Sequence, residues 1–132
     1  MAEGTAVGGV PRWLLRLEGA ALCLIAVLLY RKVGPSWWFF AALFLAPDLS
    51  LLGYLGGPRL GAISYNAAHT LIGPLVLAAA GMLLPAYVLV WLGLIWLAHI
   101  GIDRLLGFGL KYQAGFAFTH LGRIGRASSD QP

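Results

Sequence analysis

The chain has 132 residues, of which 60 % are hydrophobic and 11 % charged, with a formal net charge of +4. Soluble domains carry about 25 % charged residues, so this composition excludes an ordinary soluble domain and points to an integral membrane protein. The basic residues sit at the ends of apolar runs rather than in one patch, which argues against nucleic acid as a partner and fits topology signals and contact with anionic lipid. Cys23 is the lone cysteine and lies inside an apolar run, so neither a disulfide framework nor a Cys-rich metal site is expected. The N-terminus lacks a basic region and an evident cleavage site before Trp13, so no removable signal peptide is expected.

Four spans follow in chain order, each near the ~20 residues a helix needs to cross ~30 Å of hydrocarbon. The first runs from Trp13 to Tyr30 and contains Glu18; Arg31-Lys32-Val33-Gly34-Pro35-Ser36 ends it, and Ser36 is placed to cap the next helix. The second starts at the interfacial pair Trp37-Trp38 and continues through Pro47-Asp48 to Tyr54. After the Gly/Pro-rich turn from Gly53 to Arg59, the third runs from Ala62 to Leu84, with Asn66, His69 and Thr70 early and Pro74 as an expected kink. Pro85 is read as a first-turn residue of the fourth, which ends near Arg104. No charged residue separates the last two spans, so they are expected to form a tight antiparallel hairpin. The expected fold is all-α: a four-helix membrane bundle over residues 12–126, with an N-terminal tail at 1–11 and a disordered tail at 127–132.

The basic residues give the orientation. With both termini cytoplasmic, Arg12, Arg16, Arg59, Arg104, Lys111, Arg123 and Arg126 lie inside and Arg31 and Lys32 outside, as expected for a multi-pass protein of a bacterial plasma (inner) membrane. At 1.5 Å rise per residue, Glu18 then lies about 8 Å from the inner face, Asp48 about 14 Å, His69 and His99 about 10 Å and Asp103 about 4 Å. Helices running in alternating directions thus place their polar residues in one layer.

Within that layer His99 and Asp103 are four residues apart, on one helical face. Ionisable residues at membrane depth are costly and are kept mainly where they face a bundle interior or a wet cavity. Two imidazoles with up to three carboxylates suit a divalent metal ion of the zinc, manganese or iron type, and helical bundles build such sites from inward side chains. Asp48, His69, His99 and Asp103 are the candidate ligands; Glu18 and His120 are candidate further ligands or the catalytic general base. Blander roles stand beside these: Glu18 paired with Arg12 or Arg16, Asp48 bonded to loosened backbone, His69 as a hydrogen bond between helices, and Asn66 and Thr70 as supporting or helix-joining residues.

The segment 107–122 is too short and too Gly-rich to span. It is expected to lie at the inner interface and fold back over the bundle mouth, bringing Lys111, Tyr112 and His120 toward the polar layer; a simple interfacial anchor is the alternative. Arg104, Lys111, Tyr112 and Arg59 are candidate substrate-binding residues, the cations being suited to an anionic head group.

Taken together, Arg16-Leu17-Glu18-Gly19, Pro47-Asp48-Leu49-Ser50, Tyr65-Asn66-Ala67-Ala68-His69-Thr70, His99 to Arg104, Gly109-Leu110-Lys111-Tyr112 and Thr119-His120-Leu121-Gly122 resemble the small bacterial membrane family known as domain of unknown function 4260. That resemblance brings no activity. A more distant one is to inner-membrane metal-dependent hydrolases, whose order of an early Pro-Asp, a His-rich helix and a later His-x-x-x-Asp is similar to Pro47-Asp48, His69-Thr70 and His99/Asp103. This chain has Tyr65-Asn66 where that pattern often has a further His, and Leu49-Ser50 where a second acid often follows.

The leading reading is a metal-dependent hydrolase of an anionic or lipid substrate, with membrane lipid and a second copy of the chain as further partners. A transporter or proton relay, a haem protein with His69 and His99 as axial ligands, and a structural subunit remain as alternatives. The outer halves of the last two spans carry no charge, which weighs against a path through the membrane.

Overall fold

The computed structural model describes residues 7–111 and 118–124. Four segments are long and apolar enough to cross a bilayer: Gly9–Val33, Trp37–Gly56, Pro58–Leu83 and Tyr87–Leu106. They form an all-α bundle. The first is the single helix α1 (Gly9–Val33) and the last the single helix α5 (Tyr87–Leu106). The two between are broken, and the breaks are where the structure departs from the sequence expectation.

The second span begins as α2 (Trp37–Leu43), capped as expected by Ser36, whose Oγ accepts the Phe39 N–H at 3.2 Å. It then tightens into a 3₁₀ helix, Ala46–Gly56. Runs of that length are uncommon, because 3₁₀ hydrogen bonds are poorer than α-helical ones. Here side chains stabilise it locally: Ser50 Oγ donates to the Pro47 carbonyl at 2.7 Å, and Ser64 Oγ donates to the Ser50 carbonyl at 2.8 Å.

The third span is α3 (Pro58–His69) and α4 (Ile72–Leu83). Pro74 does not kink a continuous helix; the chain breaks four residues earlier, at Thr70. A proline ring clashes with the carbonyl of residue i−4, here that of Thr70, and Pro74 itself sits in the first turn of α4, where its missing N–H costs nothing. Pro85 likewise lies in the turn before α5, whose N-cap is Ala86, rather than in its first turn. The expected hairpin of the last two spans is present, joined through Leu84, Pro85 and Ala86.

Helix α5 is the axis. Of its most apolar window 44 % is buried within the protein, against 0 % for the second span. Small residues let the neighbours approach: a Cβ added at Gly101 would lie 2.7 Å from the Cys23 nitrogen and the Gly19 carbonyl of α1. One at Gly93 would lie 2.9 Å from the Pro74 carbonyl. Lipid gives no hydrophobic driving force between helices, so close packing through small residues is what joins them. Outward faces carry leucine, isoleucine and tryptophan, including Trp38, Leu55 and Leu83.

The start of α1 and the end of α5 lie at one end of the bundle. Arg16 Nε donates to the Leu105 carbonyl at 2.7 Å, satisfying an orphan acceptor at the α5 C-terminus. Beyond Gly107, which is left-handed at φ +91°, the chain turns back. Phe118–Thr119 and Gly122–Arg123 pair antiparallel, Lys111 bridges to Thr119, and Val7 N–H donates to the His120 carbonyl at 2.8 Å. Leu121 and Thr119 are buried there, so residues 118–124 are packed against the bundle end. Tyr112 and the 127–132 tail lie outside the described residues.

Candidate metal centre

Three elements deliver four side chains to one point. Asp48 comes from the 3₁₀ helix, His69 from the last residue of α3, and His99 and Asp103 from successive turns of α5. One ligand-capable atom of each lies within 4.8 Å of all the others. The two Nε2 atoms of His69 and His99 are 3.2 Å apart. Asp48 Oδ1 is 3.3 Å from His69 Nε2 and 3.2 Å from His99 Nε2, and Asp103 Oδ2 is 3.3 Å from both. Five of the six donor pairs thus lie 3.2–3.3 Å apart, the separation of neighbouring ligands that are each about 2.0 Å from one ion, and the sixth pair, Asp48 with Asp103, lies within 4.8 Å on the open side.

The histidines are held from behind. His69 Nδ1 faces the Tyr65 carbonyl at 2.9 Å. A carbonyl only accepts, so Nδ1 carries the proton and, in the neutral ring, the Nε2 lone pair points into the cluster. Tyr65 stacks on the same ring at 3.7 Å between centroids. His99 is packed against Phe44, edge to face at 5.4 Å. Its Nδ1 is buried without a hydrogen bond of ordinary geometry, although the Phe44 backbone interacts with the ring more weakly.

The break after His69 also fixes the site. It leaves α3 carbonyls unpaired, and α5 side chains take them: Trp96 Nε1 donates to Ala68 at 2.5 Å and Arg104 Nη2 to His69 at 3.1 Å. Both imidazoles are almost fully buried, at 3 % and 2 % exposure, whereas Asp103 is 16 % and Asp48 39 % exposed. The cluster therefore opens on the side of the two carboxylates.

That opening is a mouth of about 170 Å³ lined by Asp48, Leu51, Tyr65, Asp103, Phe108, Lys111 and Ile124. Lys111 is 3 % exposed, with its Nζ 4.6 Å from the centre of the Tyr65 ring. Asn66 clamps its backbone, donating from Nδ2 to the Lys111 carbonyl at 2.8 Å and accepting the Lys111 N–H on Oδ1 at 2.6 Å. Burial pushes the Lys111 ammonium down to about 8, with Asp103 and Asp48 pulling the other way.

Glu18 and His120 do not reach the cluster. They line an adjoining cleft of about 330 Å³ with Arg104, Leu15 and Leu22. Glu18 pairs with neither Arg12 nor Arg16 among the described residues; Arg16 instead holds Leu105 and lies 4.7 Å over the Trp13 ring. Leu110 N–H donates to His120 Nδ1 at 2.9 Å, and Arg104 Nη1 is 3.0 Å from His120 Nε2. A neutral imidazole has one lone pair, so the ring cannot accept from both; burial and the Arg104 charge hold its pKa below the ordinary value. Arg59 is exposed in the first turn of α3, about 15 Å of helix from His69, and is not brought to the site.

Three contributors do not stand out as site residues in the sequence: Tyr65, behind His69; Ser64, anchoring the 3₁₀ helix; and Trp96, holding the α3 end. Tyr65 had a signal, its i, i+4 spacing from His69. Trp96 and Ser64 act on carbonyls exposed by helix breaks, which residue identity does not disclose.

The family model described as a domain of unknown function, DUF4260, matches residues 12–124. The chain belongs to that family. The match covers every described element of this DUF4260 member from Arg12 onward, including all four cluster residues. No curated protein and no solved structure matches the chain.

Proposed function

We propose that this protein is a divalent-metal-dependent membrane enzyme that hydrolyses an anionic or lipid substrate, with Asp48, His69, His99 and Asp103 as metal ligands. The observation that carries the reading is the His69 tautomer. With its proton held by the Tyr65 carbonyl, the Nε2 lone pair faces two carboxylate oxygens and a second imidazole nitrogen, all at 3.2–3.3 Å. A proton relieves one such contact at a time, whereas a divalent cation satisfies all four donors at once.

In this reading the carboxylate-lined mouth supplies water and substrate. A divalent ion held by Asp48, His69, His99 and Asp103 would supply a water made acidic enough to serve as nucleophile near neutral pH, the chemistry that hydrolysis of an ester requires. Glu18 and His120 face the adjoining cleft and are outside this step. The bundle sits in the inner membrane with both termini cytoplasmic. The packing of Val7 on His120 and of Arg16 on Leu105 supports placing both chain ends on one side, and reporter fusions at either end test it.

The activity test is zinc- or manganese-loaded protein in mixed micelles, assayed against phosphate-ester and carboxylic-ester amphiphiles. Turnover that needs metal and disappears in Asp103→Asn supports the reading. Stoichiometric metal without turnover on either class removes the hydrolase and keeps a metal-binding protein.

A further inference from the structure

Two concavities flank the four donors along the chain, and their chemistry is opposite. One is the carboxylate and lysine mouth described above. The other is an apolar groove of about 300 Å³ lined by Leu43, Ala46, Pro47, Leu77, Leu92, Ile95 and Trp96. The chain order shows where each lies. On α5 the groove takes Leu92 to Trp96, His99 follows, and the mouth takes Asp103. On the second span the groove takes Leu43 to Pro47, Asp48 is the donor, and the mouth adds Leu51. On two independent elements the sequence is groove, donors, mouth, with the groove toward the middle of α5 and the mouth at its end. Trp96 to Asp103 covers seven residues, about 10 Å of helix.

We infer that the substrate is an amphiphile bearing one anionic group, its chain lying in the groove beside Pro47 and Trp96 and its anionic group facing Lys111 at the mouth. The bond presented to the cluster is then the one joining chain to head. This rests on the metal reading, because without a cation Asp48 and Asp103 repel an anion at the mouth. Lys111 suits the role by placement: the Asn66 clamp fixes its backbone, and the Tyr65 ring carries its ammonium beside the two carboxylates. Charge complementarity selects an anion over a neutral head, and the apolar lining of the groove selects a hydrocarbon chain over free phosphate.

Zinc-loaded full-length protein in a neutral maltoside detergent is titrated with dodecyl phosphate, inorganic phosphate and dodecanol, following Trp fluorescence and thermal stability. Dodecyl phosphate is expected to bind at least ~10-fold more tightly than either fragment, since it alone engages both the groove and the mouth. Lys111→Ala should lose about tenfold for dodecyl phosphate, the loss of one charge-assisted contact, with dodecanol unchanged, and Lys111→Arg should restore most of it. Leu92→Trp, which fills the groove, should weaken both chain-bearing ligands and leave inorganic phosphate alone. Equal binding of dodecyl phosphate and inorganic phosphate overturns the chain; equal binding of dodecyl phosphate and dodecanol overturns the anion. Zinc content measured on each sample separates a lost metal from a lost recognition.

Discussion

Helix α5 and the second span both carry cluster donors, yet they are built in opposite ways. Helix α5 is unbroken and central, fixed by glycine contacts to α1 and α4. It gives a buried His99 and a mostly buried Asp103 on one face. The second span is a short α-helix followed by a 3₁₀ helix with no buried residue in either, and it gives a partly exposed Asp48. The contrast separates two duties. The buried helix sets the geometry of the donors, while the less buried span closes the site beside its opening.

The sharpest way to break that contrast is to remove a donor from each. His99→Ala should strip the metal, lowering affinity by more than the 10–100-fold typical of losing a supporting partner, ~100-fold at least. The bundle should stay assembled, which size-exclusion in detergent checks. Asp48→Ala should cost less, about 10- to 100-fold, because the three donors it leaves, His69, His99 and Asp103, are the most buried of the four. Equal losses at both positions would show that the second span is as constrained as α5.

A smaller effect tests what holds the 3₁₀ helix. Ser64→Ala removes the bond to the Ser50 carbonyl and should cost about 1 kcal/mol, read as a lower thermal midpoint with a modest loss in metal affinity.

Much of this was legible in residue order. Counting places the polar residues, Glu18 among them, in one layer, and of these Asp48, His69, His99 and Asp103 do meet. That worked because helix rise is constant and an ionisable group in hydrocarbon has few tolerable places. The span breaks were not legible in the same way. Pro74 was visible, but its clash acts on Thr70, four residues back, so the interruption falls beside His69 and frees the carbonyls that Trp96 and Arg104 bind. The 3₁₀ helix had no sequence mark, since it depends on Ser64 from another helix. Glu18 shares the depth of the site but lines a different cleft with His120, and depth alone does not separate two clefts around α5.

The smallest expected effect concerns the end of α5 that carries the returning segment. His120 is held below its ordinary pKa by burial and Arg104. Below about pH 6.5 the unfolded chain therefore binds more protons at this position than the folded one, and stability falls with acidification. In chelator-treated protein, which removes the parallel effect of metal loss, His120→Gln should flatten that decline. An unchanged pH profile would place the acid sensitivity elsewhere.

The central claim is that four side chains from three elements hold one cation. Elemental analysis of the wild-type protein and Asp103→Ala, purified gently and after adding zinc or manganese, tests it most directly. The account predicts about one transition-metal ion per wild-type chain and almost none in a still-assembled Asp103→Ala. A wild-type protein that takes up neither metal, or one with a haem absorption band that His99→Ala removes, would contradict it.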